Sequence, residues 1–97
     1  MEKRANKYHL TLKLLQQANG DSSADKKLEL TFENHDEIFN IIERLQEKDP
    51  FGNKQQATEF ALGLKLFTEV MIKNRKHEMF EELSTAFPLF MKKLKSF

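Results

Sequence analysis

Three histidines, His9, His35 and His77, are the side chains best suited to ligate a metal or move a proton near neutral pH. No two of them stand three or four residues apart, so no single helix can present a paired metal-ligand motif. A site assembled by folding stays open. If the segments around Tyr8–Leu14 and Leu28–Glu33 pair as antiparallel strands with Thr11 opposite Thr31, His9 meets Glu33 and His35 follows closely. A His9-Glu33-His35 cluster is therefore the sharpest metal, small-ligand or acid–base arrangement the chain offers. Its plain counterpart makes His9 a solvated strand position and puts His35 and Asp36 in the first turn of a helix.

Other chemistry is sparse. Asp36-Glu37 and Glu81-Glu82 are adjacent pairs, which on a helix point about a third of a turn apart and do not face each other as an acid and base would. Ser22-Ser23 and Ser84-Thr85 have no neighbouring base, and neither a glycine-rich phosphate cradle nor a Gly-x-Ser-x-Gly elbow is present. The absence of cysteine excludes disulfides, thiolate metal sites and a thiol nucleophile. No catalytic, cofactor-binding or metal-ligating residue is assigned, no cofactor is expected, and the chain reads as a non-enzyme.

Sixteen Lys and Arg nearly cancel fifteen Asp and Glu, leaving a net charge of +1. A field that gathers nucleic acid non-specifically needs more than that. The charge is unevenly spread, however. Residues 29–49 carry seven acids against Arg44 and Lys48, whereas Lys92, Lys93 and Lys95 close the chain with no acid beside them. Those lysines, with Lys73, Arg75 and Lys76, make weak nucleic-acid binding an alternative, although cations near helix C-termini complement the helix dipole without any ligand.

The elements that must position these residues follow from periodicity. Tyr8, Leu10, Leu12 and Leu14 alternate with His9, Thr11 and Lys13, and Leu28, Leu30 and Phe32 alternate with Glu29, Thr31 and Glu33, as half-buried strands do. Asn19-Gly20-Asp21-Ser22-Ser23 between them is a cluster of turn formers. The expected register pairs His9 with Glu33, Lys13 with Glu29, Leu10 with Phe32 and Leu12 with Leu30. Asn34 and Glu37 have capping-box spacing ahead of a stripe of Ile38, Ile41, Ile42 and Leu45, which Pro50 and Gly52 end. Ala57, Phe60, Ala61, Leu64, Phe67 and Met71, joined by Leu62, Leu66 and Val70, then give a helix apolar around most of its circumference. Such a helix is central to a core or touches another chain. Gly63 inside it marks an expected close approach of another element. Met79, Phe80 and Leu83 form a short helix and Phe87, Phe90, Met91, Leu94 and Phe97 a last one, with Pro88 between them or in the first turn of the second.

The charged start, broken by alternation from Tyr8, lacks the apolar stretch of a signal peptide, and the apolar run Phe60–Leu64 is far short of a membrane span. A cytoplasmic, soluble protein is the expectation.

The segments Lys7-Tyr8-His9-Leu10-Thr11, Phe32 to Phe39 with its Asn34-His35-Asp36, Gly63 to Met71, and Phe90-Met91-Lys92-Lys93-Leu94-Lys95 resemble the bacterial domain-of-unknown-function 3861 family of small uncharacterised proteins. The likeness covers almost the whole chain. It implies a bacterial cytosolic protein and no activity or functional residue.

The reading is thus one α+β domain over residues 1–97. An N-terminal antiparallel β-hairpin of about residues 7–33 is followed by three to four helices, at about 35–48, 54–73, 77–84 and 86–96, packed on the Leu10, Leu12, Leu30 and Phe32 face. A two-stranded hairpin has two unpaired edges. Together with the broad apolar helix, this favours a non-enzymatic interaction or regulatory protein whose partner is a second copy, forming a homodimer, or another protein; neither nucleic acid nor a membrane is the expected partner.

Overall fold

A computed structural model describes residues 4–20 and 26–97. Ser22-Ser23 and the end of the turn cluster lie outside them. The order is strand β1 (Asn6–Lys13), strand β2 (Lys27–Asn34), helix α1 (Ile38–Lys48), helix α2 (Lys54–Lys73), a three-residue 3-10 turn (Glu78–Phe80) and helix α3 (Leu83–Lys95). The hairpin followed by three helices is the expected α+β architecture. Two compact units divide the chain after Asp36.

In the first unit β1 and β2 pair antiparallel, but the register is displaced two residues from the expected one. Tyr8 faces Phe32, His9 faces Thr31, Leu10 faces Leu30, and Leu12 faces Leu28. Alternation fixes only which residues share a face, and a two-residue slip preserves that. Side-chain pairing decides between the two. The expected register sets Tyr8 against Asn34, whereas the observed one stacks the Tyr8 ring on Phe32 with centroids 5.4 Å apart and planes 23° from parallel, an aromatic pair of the kind that stabilises antiparallel strands. The displacement also sets Lys13 against Lys27, a like-charge contact that Glu29 relieves at 3.6 Å from the Lys27 Nζ.

The exit from β2 corrects the expected capping box. Buried Asn34 accepts the Asp36 N–H through Oδ1 at 3.0 Å, and the Tyr8 hydroxyl donates to the Asp36 carbonyl at 2.9 Å. Asn34 thus spends its side chain on a local turn that competes with helix. The helix begins at Ile38, three residues later than expected, with Glu37 as its N-cap accepting the Asn40 N–H at 2.7 Å.

In the second unit α2 has the expected limits, opened by Asn53 accepting from the Gln56 N–H at 3.1 Å. Ala57 and Ala61 are fully buried against Leu45 of α1, with Ile41, Ile42, Phe60 and Leu94 packed around them. Gln46 adds a cross-helix bond, donating to Thr58 Oγ1 at 2.8 Å. α2 also meets α3 through rings. Phe51, Phe60, Phe90, Phe87, Phe67, Phe80 and His77 form an unbroken series with successive centroids 5.5 to 6.5 Å apart.

The end of the chain departs from expectation in two respects. The helix expected over about 77–84 is only the turn Glu78–Phe80, opened by His77, whose Nδ1 accepts the Met79 N–H at 3.1 Å. The last helix begins at Leu83 and carries Pro88 inside it. Pro88 forfeits the bond to the Ser84 carbonyl, but ring packing of Phe87 on Phe67 and Phe90 holds both sides of the gap. Gly63 also differs from its expected role. A Cβ built there meets nothing within 4 Å, so no other element approaches.

Two stability outcomes follow. Gly63→Ala raises stability by about 0.4–1 kcal/mol, because it restricts the unfolded chain and clashes with nothing. Leu45→Ala lowers it by about 2–5 kcal/mol by opening a cavity against two alanines that cannot fill it. Urea unfolding monitored by circular dichroism at the helix band reads both.

Candidate functional site

The observed register decides the fate of the His9-Glu33-His35 cluster. Glu33 faces Lys7, and His9 faces Thr31. The His9 ring reaches Thr31 Oγ1 at 3.1 Å through Nδ1 and Glu29 Oε1 at 3.4 Å through Nε2. Glu29, expected opposite Lys13, is therefore the carboxylate beside His9. It is shared with Lys27, and both His9 and Glu29 are more than half exposed. Such a pair in water contributes less than about 1 kcal/mol. His35 lies in the exposed turn after β2, and His77 caps the 3-10 turn in the second unit. Among the described residues no group of three or more His, Cys, Asp and Glu is placed to hold a metal ion.

The terminal lysines are where the dipole favours them. Lys92, Lys93 and Lys95 occupy the last turn of α3, exposed, as Lys48 and Lys73 do in α1 and α2. Among the described residues no helix is long and apolar enough to cross a membrane.

What the structure does assemble is exposed apolar surface. On the hairpin, Tyr8 and Phe32, Leu10 and Leu30, and Leu12 and Leu28 make three rungs on one face. Tyr8, Leu10 and Phe32 are half-buried, but toward the loop end the strip opens, with Leu30 at 41%, Leu28 at 54% and Leu12 at 63% exposure. Leu15 beyond β1 is more exposed still. On the second unit Phe39, Val70, Ile72, Met79 and Leu89 are also exposed. Single exposed apolar residues are ordinary, whereas here exposed leucines are contiguous at two adjoining rungs. Alternation alone assigns all three rungs to a buried face and gives no sign that the last is open. The Leu14-Leu15 doublet, which breaks the alternation, is the one such signal in the sequence.

The family model for the domain of unknown function with solved structure, DUF3861, matches residues 6–96. The chain belongs to the DUF3861 family. A crystal structure of a protein of unknown function from Pectobacterium atrosepticum is 33% identical to it, with a TM-score of 0.81, covering 97% of this chain and all of that one. No curated protein matches. The likeness to that structure supports the fold, and neither comparison assigns an activity to any residue.

The register is open to direct measurement. Cross-strand nuclear Overhauser contacts should connect His9 with Thr31 and Leu12 with Leu28; contacts joining His9 to Glu33 and Leu12 to Leu30 instead would restore the alternative pairing and, with it, the histidine cluster.

Proposed function

We propose that this DUF3861 chain is a non-enzymatic interaction protein of the bacterial cytosol whose partner is a second copy of itself, docked on the open end of the hairpin. The observation that carries this reading is the exposed Leu12, Leu28 and Leu30 at adjoining rungs of one sheet face. Three leucines supply only part of the roughly 800 Å² per partner that a stable interface buries. Leu15 extends the patch beyond the strand, and the two strand edges, each with its own row of backbone donors and acceptors, border it. A two-fold arrangement lets the same patch serve both copies. The bacterial setting follows the Pectobacterium relative, and the cytosol is part of the same proposal.

A non-catalytic role accords with the way β1 and β2 pair, since the register parts His9 from Glu33 and leaves His9 on a solvated pair with Glu29. Where leucines meet across a two-fold axis, each substitution acts twice. At about 1.5–3 kcal/mol per buried leucine, Leu28→Asp should weaken association by at least about two orders of magnitude. Light scattering over a dilution series reads the mass, with circular dichroism confirming that the helices persist. A parent chain that stays monomeric at millimolar concentration overturns the proposal.

A further inference from the structure

The three helices of the second unit line a groove of about 160 Å³. Its floor is apolar, with Ile41 and Leu45 from α1, Leu64 from α2, and Met91 and Leu94 from α3. Leu45 is buried, and the other four are half-buried. The rest of the lining is cationic, Arg44 and Lys48 on α1, Lys65 on α2 and Lys95 on α3. Among the described residues no acid lines it, and neither Glu43 nor Glu47 of α1 does. A larger cleft of about 360 Å³ beside Phe80 and Phe87 has one charged residue, Arg75, on its wall. The groove, by contrast, sets four cations around one apolar floor.

The helix dipole accounts for these charges only in part. Lys48 and Lys95 stand in the last turns of their helices, where the dipole favours cations. Arg44 and Lys65 do not. Arg44 and Lys48 are four positions apart on α1, which makes them like-charge neighbours, an arrangement that destabilises a helix. Among the described residues Arg44, Lys48 and Lys95 form no ion pair or side-chain hydrogen bond, and all three are exposed. Lys65 is half-buried and has an interaction of its own. The exposed three are the cations left to meet a partner.

Size and charge together select what can sit there. At a share of about 30 Å³ for each water-sized group, the groove has room for about five heavy atoms. That suits a leucine or methionine side chain, and it is well below the roughly 300–1,000 Å³ of a small-molecule pocket. A lipid tail has too many atoms for it. A small apolar molecule with one carboxylate would answer one cation, whereas the exposed cations stand on two helices, α1 and α3. A polypeptide can place carboxylates on both sides of a single apolar side chain.

We propose that this groove docks an acidic segment of another protein, with a leucine-sized side chain on the apolar floor and flanking Asp or Glu carboxylates on Arg44, Lys48 and Lys95. Charge complementarity guides the encounter, and the buried side chain supplies the anchoring contact. The groove belongs to the helical unit and shares no residue with the leucine strip of the hairpin. It takes a partner other than the second copy.

An NMR titration with a blocked peptide, one leucine between three acids on each side, tests this, the methyls of Ile41, Leu64, Met91 and Leu94 serving as reporters. The expected result is saturable shifts at those methyls, with a dissociation constant of about 1 mM or below. Replacing the leucine of the peptide by alanine weakens binding at least about tenfold. Replacing its acids by their amides does the same and removes the dependence on salt. Arg44→Gln with Lys48→Gln weakens the acidic peptide severalfold, whereas the same charge removed outside the groove, by Lys73→Gln with Lys76→Gln, leaves it unchanged. All four positions are exposed, and circular dichroism confirms that the helices persist. No shift of the floor methyls at millimolar peptide, equal binding of the alanine peptide, or equal loss from both pairs of substitutions would each overturn the inference. So would decanoate binding there more tightly than the peptide, which marks a lipid site, or loss of self-association on Arg44→Gln with Lys48→Gln, which gives the groove to the second copy. The titration is repeated on Leu28→Asp protein. Because the groove lies within the helical unit, the result there should be unchanged, so failure of self-association and failure of peptide docking are read separately.

Discussion

Ala57 and Ala61 extend no further than Cβ, and that lets Leu45 of α1 seat directly on the backbone of α2. The rest of the helical unit follows from this close contact. With α1 seated on the two alanines, Phe60 flanks that same contact and, with Phe67, reaches the phenylalanines of α3. Nine phenylalanines in a chain of 97 residues would crowd an interior packed helix against helix at uniform spacing. Here small residues close one contact and rings span the other. The cleft beside Phe80 and Phe87 borders these rings, where Phe67 meets Phe80 edge to face and Phe87 at a tilt.

The hairpin obeys a different constraint. It has one apolar face and two strands, and it closes its base with backbone bonds to Asp36 from Asn34 and Tyr8. That closure sets where the half-buried rungs sit and leaves Leu12 and Leu28 at the far, open end. The charged face follows from the same pairing. Once Tyr8 lies on Phe32, His9 must face Thr31, and the acid within its reach is Glu29. A stacking preference between two rings thereby determines which polar groups can cooperate on the opposite side of the sheet.

The elements that periodicity governs were legible in the sequence. Alternation placed both strands and the face each residue takes, and the 3.6-residue stripe placed α2 at about residues 54–73. What alternation cannot encode is which even step the pairing takes, so Tyr8 and Phe32 had to be seen together before the register was determined. The start of α1 misled because Asn34 has two uses, cap or turn former, and burial selected the turn. Pro88 misled because its place in a helix depends on rings brought to it by α2.

The outward face of the hairpin repeats charge along each strand, with Lys7, His9 and Lys13 on β1 and Lys27, Glu29 and Glu33 on β2. Fibrils grow by laying identical strands in register about 4.8 Å apart. Stacking this hairpin in that manner would raise columns of lysine upon lysine and glutamate upon glutamate, each repelling its neighbours along the whole axis. A hairpin that leaves leucines open to water on one face thus carries, on the other, its own opposition to becoming amyloid.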